Sequence, residues 1–92
     1  MDEVQLKNAH EHSWKHREEI ENSGACACFF CLSTFPPSDI SEWIDAGKTA
    51  MCPRCGIDSV IGDASELPIL ETNFMKEMAN HFFGGPVDLA EA

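Results

Sequence analysis

Two C-x-x-C motifs separated by twenty residues limit the folds open to this chain more than any other part of its sequence. The motifs are Cys28–Cys31 and Cys52–Cys55. Two residues between the cysteines allow a tight turn to aim both sulfur atoms at one point, and a second such turn completes a tetrahedron of thiolates. The spacing predicts one structural Zn²⁺ per chain, bound by Cys28, Cys31, Cys52 and Cys55. Four sulfur ligands leave no open position for catalysis, and iron in the same site stays an alternative.

The length of the chain explains why a metal ion would matter. With 92 residues it can form one domain with a small hydrophobic core, and such domains usually need a disulfide, a metal or a partner. Five cysteines are an odd number, which a framework of disulfides alone does not use up. We interpret Cys26 as a spare thiol, with its replacement of Cys28 in the site as the minor alternative.

The sequence also bounds the location of the protein. No apolar run is long enough to cross a membrane, and the first residues lack the basic region and apolar core of a signal peptide. We therefore expect a cytoplasmic protein, whose thiols stay reduced and available to a metal.

Acidic residues dominate the charge of the chain. Asp and Glu number 16 against 6 Lys and Arg, a formal net charge of −10 at pH 7. Nucleic-acid-binding modules usually carry a basic patch, whereas the basic residues here are spread along the sequence. The charge disfavours nucleic acids and anionic membranes, and it favours a protein partner with a basic surface.

The N-terminal segment predicts a helix over residues 3–22. Asn8 and Glu11 have the spacing of an N-terminal capping box, and Gly24 has the position of a left-handed residue that ends a helix. The segment has few apolar side chains, so we expect Trp14 to dock against the rest of the domain.

The zinc module is predicted over residues 25–62. Within it, Ser38 is expected to begin a short helix that ends at Gly47, with two short strands at residues 49–51 and 57–61. The expected apolar face of that helix carries Ile40, Trp43 and Ile44.

Phe and Met residues at helical spacing predict a C-terminal helix over residues 72–83, ended by the glycine that follows. We expect its apolar stripe to pack on Trp43 and on the first helix. The tail, residues 84–92, is expected to be frayed. Of the adjacent Phe29 and Phe30 in the first motif, one should face solvent, where an aromatic side chain can anchor a partner.

Histidines cluster in the first helix at His10, His12 and His16. His12 and His16 are four residues apart and share a helix face, a spacing that suits a two-histidine metal clamp. The glutamate of a zinc-protease motif is missing beside His12, so a polar or packed face is the simpler interpretation. The alternative is a small metal-dependent hydrolase or nuclease that uses His12, His16 and Asp58.

Several motifs occur together along the chain. They are His12-Ser13, His16-Arg17-Glu18, Cys26-x-Cys28-Phe29-x-Cys31, Ile40-x-x-Trp43-Ile44 and residues 49–62, Thr-Ala-x-Cys-Pro-x-Cys-Gly-Ile-Asp-Ser-Val-Ile-Gly. In combination they resemble a family of small bacterial and phage proteins labelled only as cytoplasmic or hypothetical. The resemblance covers roughly residues 10–83 and implies a cytosolic location, a zinc-ribbon-like core and a role for His12, His16, Arg17 and Asp58 beyond solubility. The layout is also similar to the zinc-binding domain of the Clp-type unfoldase, a treble-clef dimer that binds adaptors.

The resulting prediction is a small α+β domain, with a zinc-ribbon or treble-clef core flanked by an N-terminal and a C-terminal helix. We expect a non-enzymatic interaction module stabilised by zinc, such as an inhibitor or regulator of another protein, and a homodimer is compatible with this. A nucleic-acid-binding zinc ribbon is a further alternative, which the net charge disfavours.

Overall fold

The computed structural model of the chain describes residues 2–84. Its elements are α1 (Glu3–His10), α2 (Arg17–Glu21), β1 (Cys26–Cys28), β2 (Thr34–Phe35), β3 (Trp43–Ile44), β4 (Thr49–Ala50), β5 (Val60–Gly62) and α3 (Thr72–Phe83), with 3-10 turns at Glu11–Ser13, Pro37–Asp39 and Asp63–Ser65. Within the described part of the chain, no helix combines the length and apolar character needed to cross a bilayer. Apart from Gly84, the tail that we expect to be frayed lies outside the described residues.

A three-stranded antiparallel sheet forms the centre of the fold, in the order β2-β1-β5. Cys26 pairs with Gly62 and Cys28 with Val60, so the strand that leads into the first cysteine motif is the middle strand. A separate antiparallel hairpin joins β3 to β4.

Both faces of β1 and β5 are buried, so these two strands carry apolar or small residues without alternation. One core, against α1 and α3, contains Leu6, Ala9, Ala27, Phe29, Ile61, Ile69, Phe74, Met75 and Met78. The other core contains Ile20, Cys26, Cys28, Phe35, Ile40, Ala50, Cys52 and Val60. The cysteine motifs thus belong to the second core, on the side of the sheet opposite α3.

The predicted helix over residues 3–22 is wrong as a continuous element. Helix α1 ends at His10, and the chain changes direction at Lys15, which has a left-handed φ of 48°, before α2 begins. The backbone N–H of Lys15 donates to the hydroxyl of Thr49 at 2.9 Å. This contact with a residue 34 positions away holds a backbone conformation that a helix does not allow.

The predicted start and end of that helix are also wrong. The capping box is formed by Asp2 and Gln5: the Asp2 carboxylate accepts from the Gln5 N–H at 2.8 Å, and the Gln5 side chain accepts from the Asp2 N–H at 3.1 Å. Asn8 and Glu11 therefore do not cap the helix. Gly24 does not adopt a left-handed conformation.

The helix predicted between Ser38 and Gly47 is replaced by a 3-10 turn and the β3–β4 hairpin. The connecting turn has positive φ at Asp45, Ala46 and Gly47, and the Thr49 hydroxyl donates to the Asp45 carboxylate at 2.9 Å. Gly47 therefore serves a hairpin turn, where its lack of a side chain relieves the strain of a φ of 83°.

Helix α3 covers the residues for which the sequence predicts it, and Gly84 ends it with a φ of 75°. Its apolar stripe packs on α1 and on the first core. The expected contact with Trp43 is wrong, because Trp43 packs against the second core, across the sheet. Among the strands, β4 lies within the predicted residues 49–51, whereas β5 begins three residues later than predicted.

Candidate metal centre

The side chains of Cys28, Cys31, Cys52 and Cys55 converge on one point. Their sulfur atoms all lie within 4.8 Å of one another, with 3.6 Å between Cys28 and Cys55 and 3.7 Å between Cys31 and Cys52. In a tetrahedron with metal–sulfur distances of about 2.3 Å, neighbouring sulfur atoms are about 3.8 Å apart. A disulfide would bring them to about 2.0 Å, and all five cysteines are free. The four cysteines are therefore positioned to hold one metal ion.

The two motifs build matching turns, which we call the first knuckle (residues 28–33) and the second knuckle (residues 52–57). In the first, the Phe30 N–H donates to the sulfur of Cys28 at 3.3 Å; in the second, the Arg54 N–H donates to the sulfur of Cys52 at the same distance. Hydrogen bonds of this kind stabilise a thiolate, so each knuckle is suited to a negatively charged ligand.

Each knuckle is closed by a residue with positive φ. Leu32 (62°) donates its N–H to the Cys28 carbonyl, and Gly56 (78°) donates its N–H to the Cys52 carbonyl, both at 2.9 Å. Glycine takes this conformation at little cost, whereas leucine does so against its preference. Gly56 and Leu32 thus occupy equivalent positions in the two knuckles.

Two serine hydroxyls lie beside the sulfur atoms. The buried hydroxyl of Ser59 lies 2.9 Å from the sulfur of Cys28, and that of Ser33 lies 3.3 Å from the sulfur of Cys31. The pairing of β1 with β5 brings Ser59 next to Cys28.

Burial favours the thiol over the thiolate at Cys28 and Cys55 until a cation is bound. Burial raises the pKa of Cys28 above its usual range and that of Cys55 to about 11. Burial also raises the pKa of Cys31, but hydrogen bonds with Ser33, Cys28 and Cys52 outweigh this effect and leave the pKa lowered. A divalent cation reverses the balance by stabilising the thiolates directly, so metal binding would release protons.

Cys26 is buried in β1 and does not belong to the group of four. Its burial, together with the nearby Asp63 carboxylate, raises the pKa of its thiol to about 12. This agrees with the interpretation of Cys26 as a spare, unreactive thiol.

His16 has a structural role. Its ring is 4% exposed; Nδ1 donates to the His12 carbonyl, and Nε2 accepts from the Ala50 N–H at 3.0 Å. Burial lowers the pKa of His16 despite the opposing carboxylates of Glu19 and Asp58, so the neutral ring is favoured. With both nitrogens engaged, His16 is not free to bind a metal.

The other histidines are engaged elsewhere. The Nδ1 atom of His12 lies 2.9 Å from the Glu19 carboxylate, and the ring of His10 packs 4.3 Å from that of Phe82, between centroids. Within residues 2–84, the only group of three or more candidate metal ligands is the cysteine cluster. The geometry gives no support to a second metal held by His12, His16 and Asp58.

The exposed aromatic residue is not where the sequence predicts it. Phe29 is buried, and Phe30 is half-buried with its ring edge-on to Phe83 at 4.8 Å. The side chain of Trp14, which we expected to dock, is 55% exposed. Trp14 and Phe83 are thus the large aromatic residues that the described part of the fold leaves exposed, and Trp14 is the more exposed of the two.

Trp14 stands beside an open groove of about 630 Å³. Carboxylates of Glu11, Glu18 and Glu19 line it, and we call it the acidic groove. A neighbouring groove of about 430 Å³ gathers Lys15, Arg17 and Lys48, together with Glu18 and Glu21. This grouping of half the basic residues is invisible in the sequence, because Lys48 lies far along the chain.

No protein-family model matches the chain, and searches among curated proteins and solved structures give no significant match. The resemblance to the small bacterial and phage family therefore stays a prediction from the motifs. The fold and the site define a class: a small α+β protein with helices at both ends and a four-cysteine cluster compatible with a zinc-binding core.

Proposed function

We propose that this protein is a non-enzymatic interaction module in which one Zn²⁺, bound by the four cysteines, fixes the shape of a surface that docks a basic segment of another protein. The observation that carries the proposal is the convergence of four sulfur atoms at tetrahedral spacing. Four thiolates fill the coordination sphere of zinc, so the ion would be structural and no catalytic step is assigned to it.

The expected contribution of zinc follows from the topology. The first knuckle extends from β1 in the central sheet, and the second lies in the segment between β4 and β5. The ion would join these two segments across the twenty residues that separate Cys31 from Cys52. Because the two cores are small and share one short sheet, we expect binding of the ion and folding to be a single process.

The docking surface we propose is the acidic groove. Trp14 offers a large exposed ring, and tryptophan is among the residues that most often dominate binding energies at interfaces. The surrounding Glu11, Glu18 and Glu19 carboxylates and the net charge of −10 favour a basic partner. The Lys15 ammonium already lies 4.5 Å from the centre of the Trp14 ring, so a cation is accepted at this position.

The metal is tested first, by native mass spectrometry and by circular dichroism of the whole chain during titration with a chelator. We expect one zinc per chain, loss of helical signal on chelation, and recovery when Zn²⁺ is added back. Cys52→Ala should lose the metal and Cys26→Ala should keep it. A well-folded, metal-free protein, or equal metal loss in both variants, would contradict the proposal.

The partner is tested with a photo-crosslinking amino acid at position 14. The control places the same amino acid at the exposed position 42, which does not line the acidic groove. We expect position 14 alone to capture a Lys- and Arg-rich segment. A synthetic peptide of that segment should bind the purified protein in a salt-dependent manner, and Glu11→Gln with Glu18→Gln should weaken it. Identical capture from both positions, or binding insensitive to these substitutions, would refute the docking surface.

A further inference from the structure

A second cavity lies on the other side of Trp14 and has a different chemistry. It has a volume of about 230 Å³ and is formed by the turn after α1, by α3 and by the segment before β5. We call it the aromatic pocket. Its lining residues include Trp14, Phe29, Phe82, Phe83, His10 and Asp58.

The rings of the aromatic pocket form a packed wall. Ring centroids are 4.3 Å apart for His10 and Phe82, 6.0 Å for Phe29 and Phe82, and 5.6 Å for Phe29 and Phe83. Phe29 is buried at the back, whereas Trp14 and Phe83 are exposed at the rim. An incoming group would therefore meet aromatic surfaces on several sides.

Asp58 supplies the one carboxylate among the lining residues. Each of the other aspartates within residues 2–84 accepts a hydrogen bond or forms a salt bridge; these are Asp2, Asp39, Asp45 and Asp63. Asp58 has neither within the same range, although its charge acts on His16 through space. Asp58 is exposed, so its carboxylate is hydrated in the free protein and can exchange that water for a cation at the edge of the aromatic rings.

The chain itself shows which cation suits such a combination. The Arg54 guanidinium lies 2.9 Å from the Asp39 carboxylate and 5.9 Å from the Phe35 ring. Arg17 repeats the arrangement, with a hydrogen bond of 3.2 Å to Glu21 and its guanidinium 4.4 Å from the centre of the Trp43 ring. In both cases, one ring and one carboxylate receive one guanidinium.

We propose that the aromatic pocket binds an arginine side chain of the basic partner segment, with the guanidinium stacked on the rings and paired with Asp58. Guanidinium is planar and less strongly hydrated than the lysine ammonium, so it enters an aromatic site at a smaller desolvation cost. The volume suits a single side chain, since sites for whole small-molecule ligands usually begin at about 300 Å³. This inference rests on the proposed docking of a basic partner and names the residue that would be recognised.

The test uses the full-length, zinc-loaded, ¹⁵N-labelled protein and the probe peptide acetyl-Gly-Gly-Arg-Gly-Gly-amide, with matched peptides that carry lysine, trimethyl-lysine or citrulline in place of arginine. Binding is followed by NMR through the indole N–H signals of the two tryptophans. The Trp14 signal is expected to shift on titration, whereas that of Trp43, already stacked against Arg17, should not. Citrulline keeps the shape of arginine without its charge, so it should bind at least about tenfold more weakly.

Two variants locate the contact. Asp58→Asn should weaken arginine binding about tenfold, whereas Glu42→Gln, an exposed site with the same change in net charge, should leave it within about twofold. Phe83→Leu keeps an apolar rim but removes a ring, and it should reduce the preference for arginine over lysine. Circular dichroism and zinc content of each variant must match those of the unaltered protein.

Equal weakening of arginine binding by Asp58→Asn and Glu42→Gln would overturn the inference, because it would mean that the net charge of the protein attracts the peptide. Tighter binding of lysine or trimethyl-lysine than of arginine would also overturn it. If the basic partner peptide loses affinity with the Glu11 and Glu18 variants but not with Asp58→Asn, docking at the acidic groove is supported and arginine binding in the aromatic pocket is refuted.

Discussion

Replacement of Ser59 by alanine is expected to weaken zinc binding about 10- to 100-fold. The hydroxyl of Ser59 is buried and lies 2.9 Å from the sulfur of Cys28. In the metal-bound state, this hydroxyl would donate to a thiolate, and hydrogen bonds to charged groups are worth about 1.5–3 kcal/mol. Since about 1.4 kcal/mol corresponds to a tenfold change in affinity, the loss falls in the stated range.

The same reasoning orders two control variants. The Ser33 hydroxyl lies 3.3 Å from the sulfur of Cys31, which is less buried than Cys28. We therefore expect Ser33→Ala to lower the affinity for zinc by less than about tenfold. Ser41 is exposed, and Ser41→Ala should bind zinc within about twofold of the unaltered protein.

The assay is competition for Zn²⁺ with a chromophoric chelator at fixed pH, with circular dichroism of each zinc-saturated variant as a check on folding. Because the metal-free chain is expected to be unfolded, the loss of the hydrogen bond affects the zinc-bound state alone. A zinc affinity of Ser59→Ala within twofold of the unaltered protein, or a greater loss from Ser33→Ala, would refute the argument that the buried hydroxyl stabilises the thiolate.

Further predictions concern stability, measured by urea unfolding of the zinc-loaded protein. Gly56→Ala should lower the free energy of unfolding by about 1 kcal/mol, because its φ is 78°, although no atom lies within 4 Å of the added Cβ. Gly24→Ala, with a negative φ, should be nearly neutral, and equal effects of the two substitutions would contradict this account. Met78→Ala leaves a cavity at a fully buried position and should lower the free energy of unfolding by about 2–5 kcal/mol. At the exposed Val4, the substitution Val4→Ala should change it by less than about 0.5 kcal/mol. Because burial lowers the pKa of His16, the unfolded chain takes up that proton first as the pH falls below about 6.5, and the free energy of unfolding decreases. The His16→Gln variant should be less stable at neutral pH, but its free energy of unfolding should fall less steeply as the pH is lowered. An unchanged pH dependence would mean that other groups cause the decrease.

The features that the sequence predicts well are those fixed by local chemistry. The cysteine spacing needs only two tight turns to bring each pair of sulfur atoms together, and the four meet as expected. Helix α3 has a regular apolar stripe and a glycine at its end, so local preference and burial agree.

The features that it misses depend on backbone pairings and hydrogen bonds that periodicity does not reveal. The hairpin of β3 and β4 has apolar residues at spacings of three and four, which also suit a helix, but pairing of Trp43 with Ala50 selects the strand. The break near Lys15 depends on a hydrogen bond to Thr49, and the neighbouring His16 bonds to Ala50. The partners of Lys15 and His16 cannot be found by periodicity, because they lie 34 residues away along the chain.

The aromatic pocket and the metal centre have a common wall. Ser59 lines the pocket and contacts Cys28, and Phe29, at the back of the pocket, follows Cys28 directly. Occupancy of the two sites would therefore be thermodynamically linked. Any factor by which bound zinc raises the affinity for arginine must equal the factor by which bound arginine raises the affinity for zinc. A chain that loses its ion would release its partner, so metal supply in the cell would set how long the complex persists.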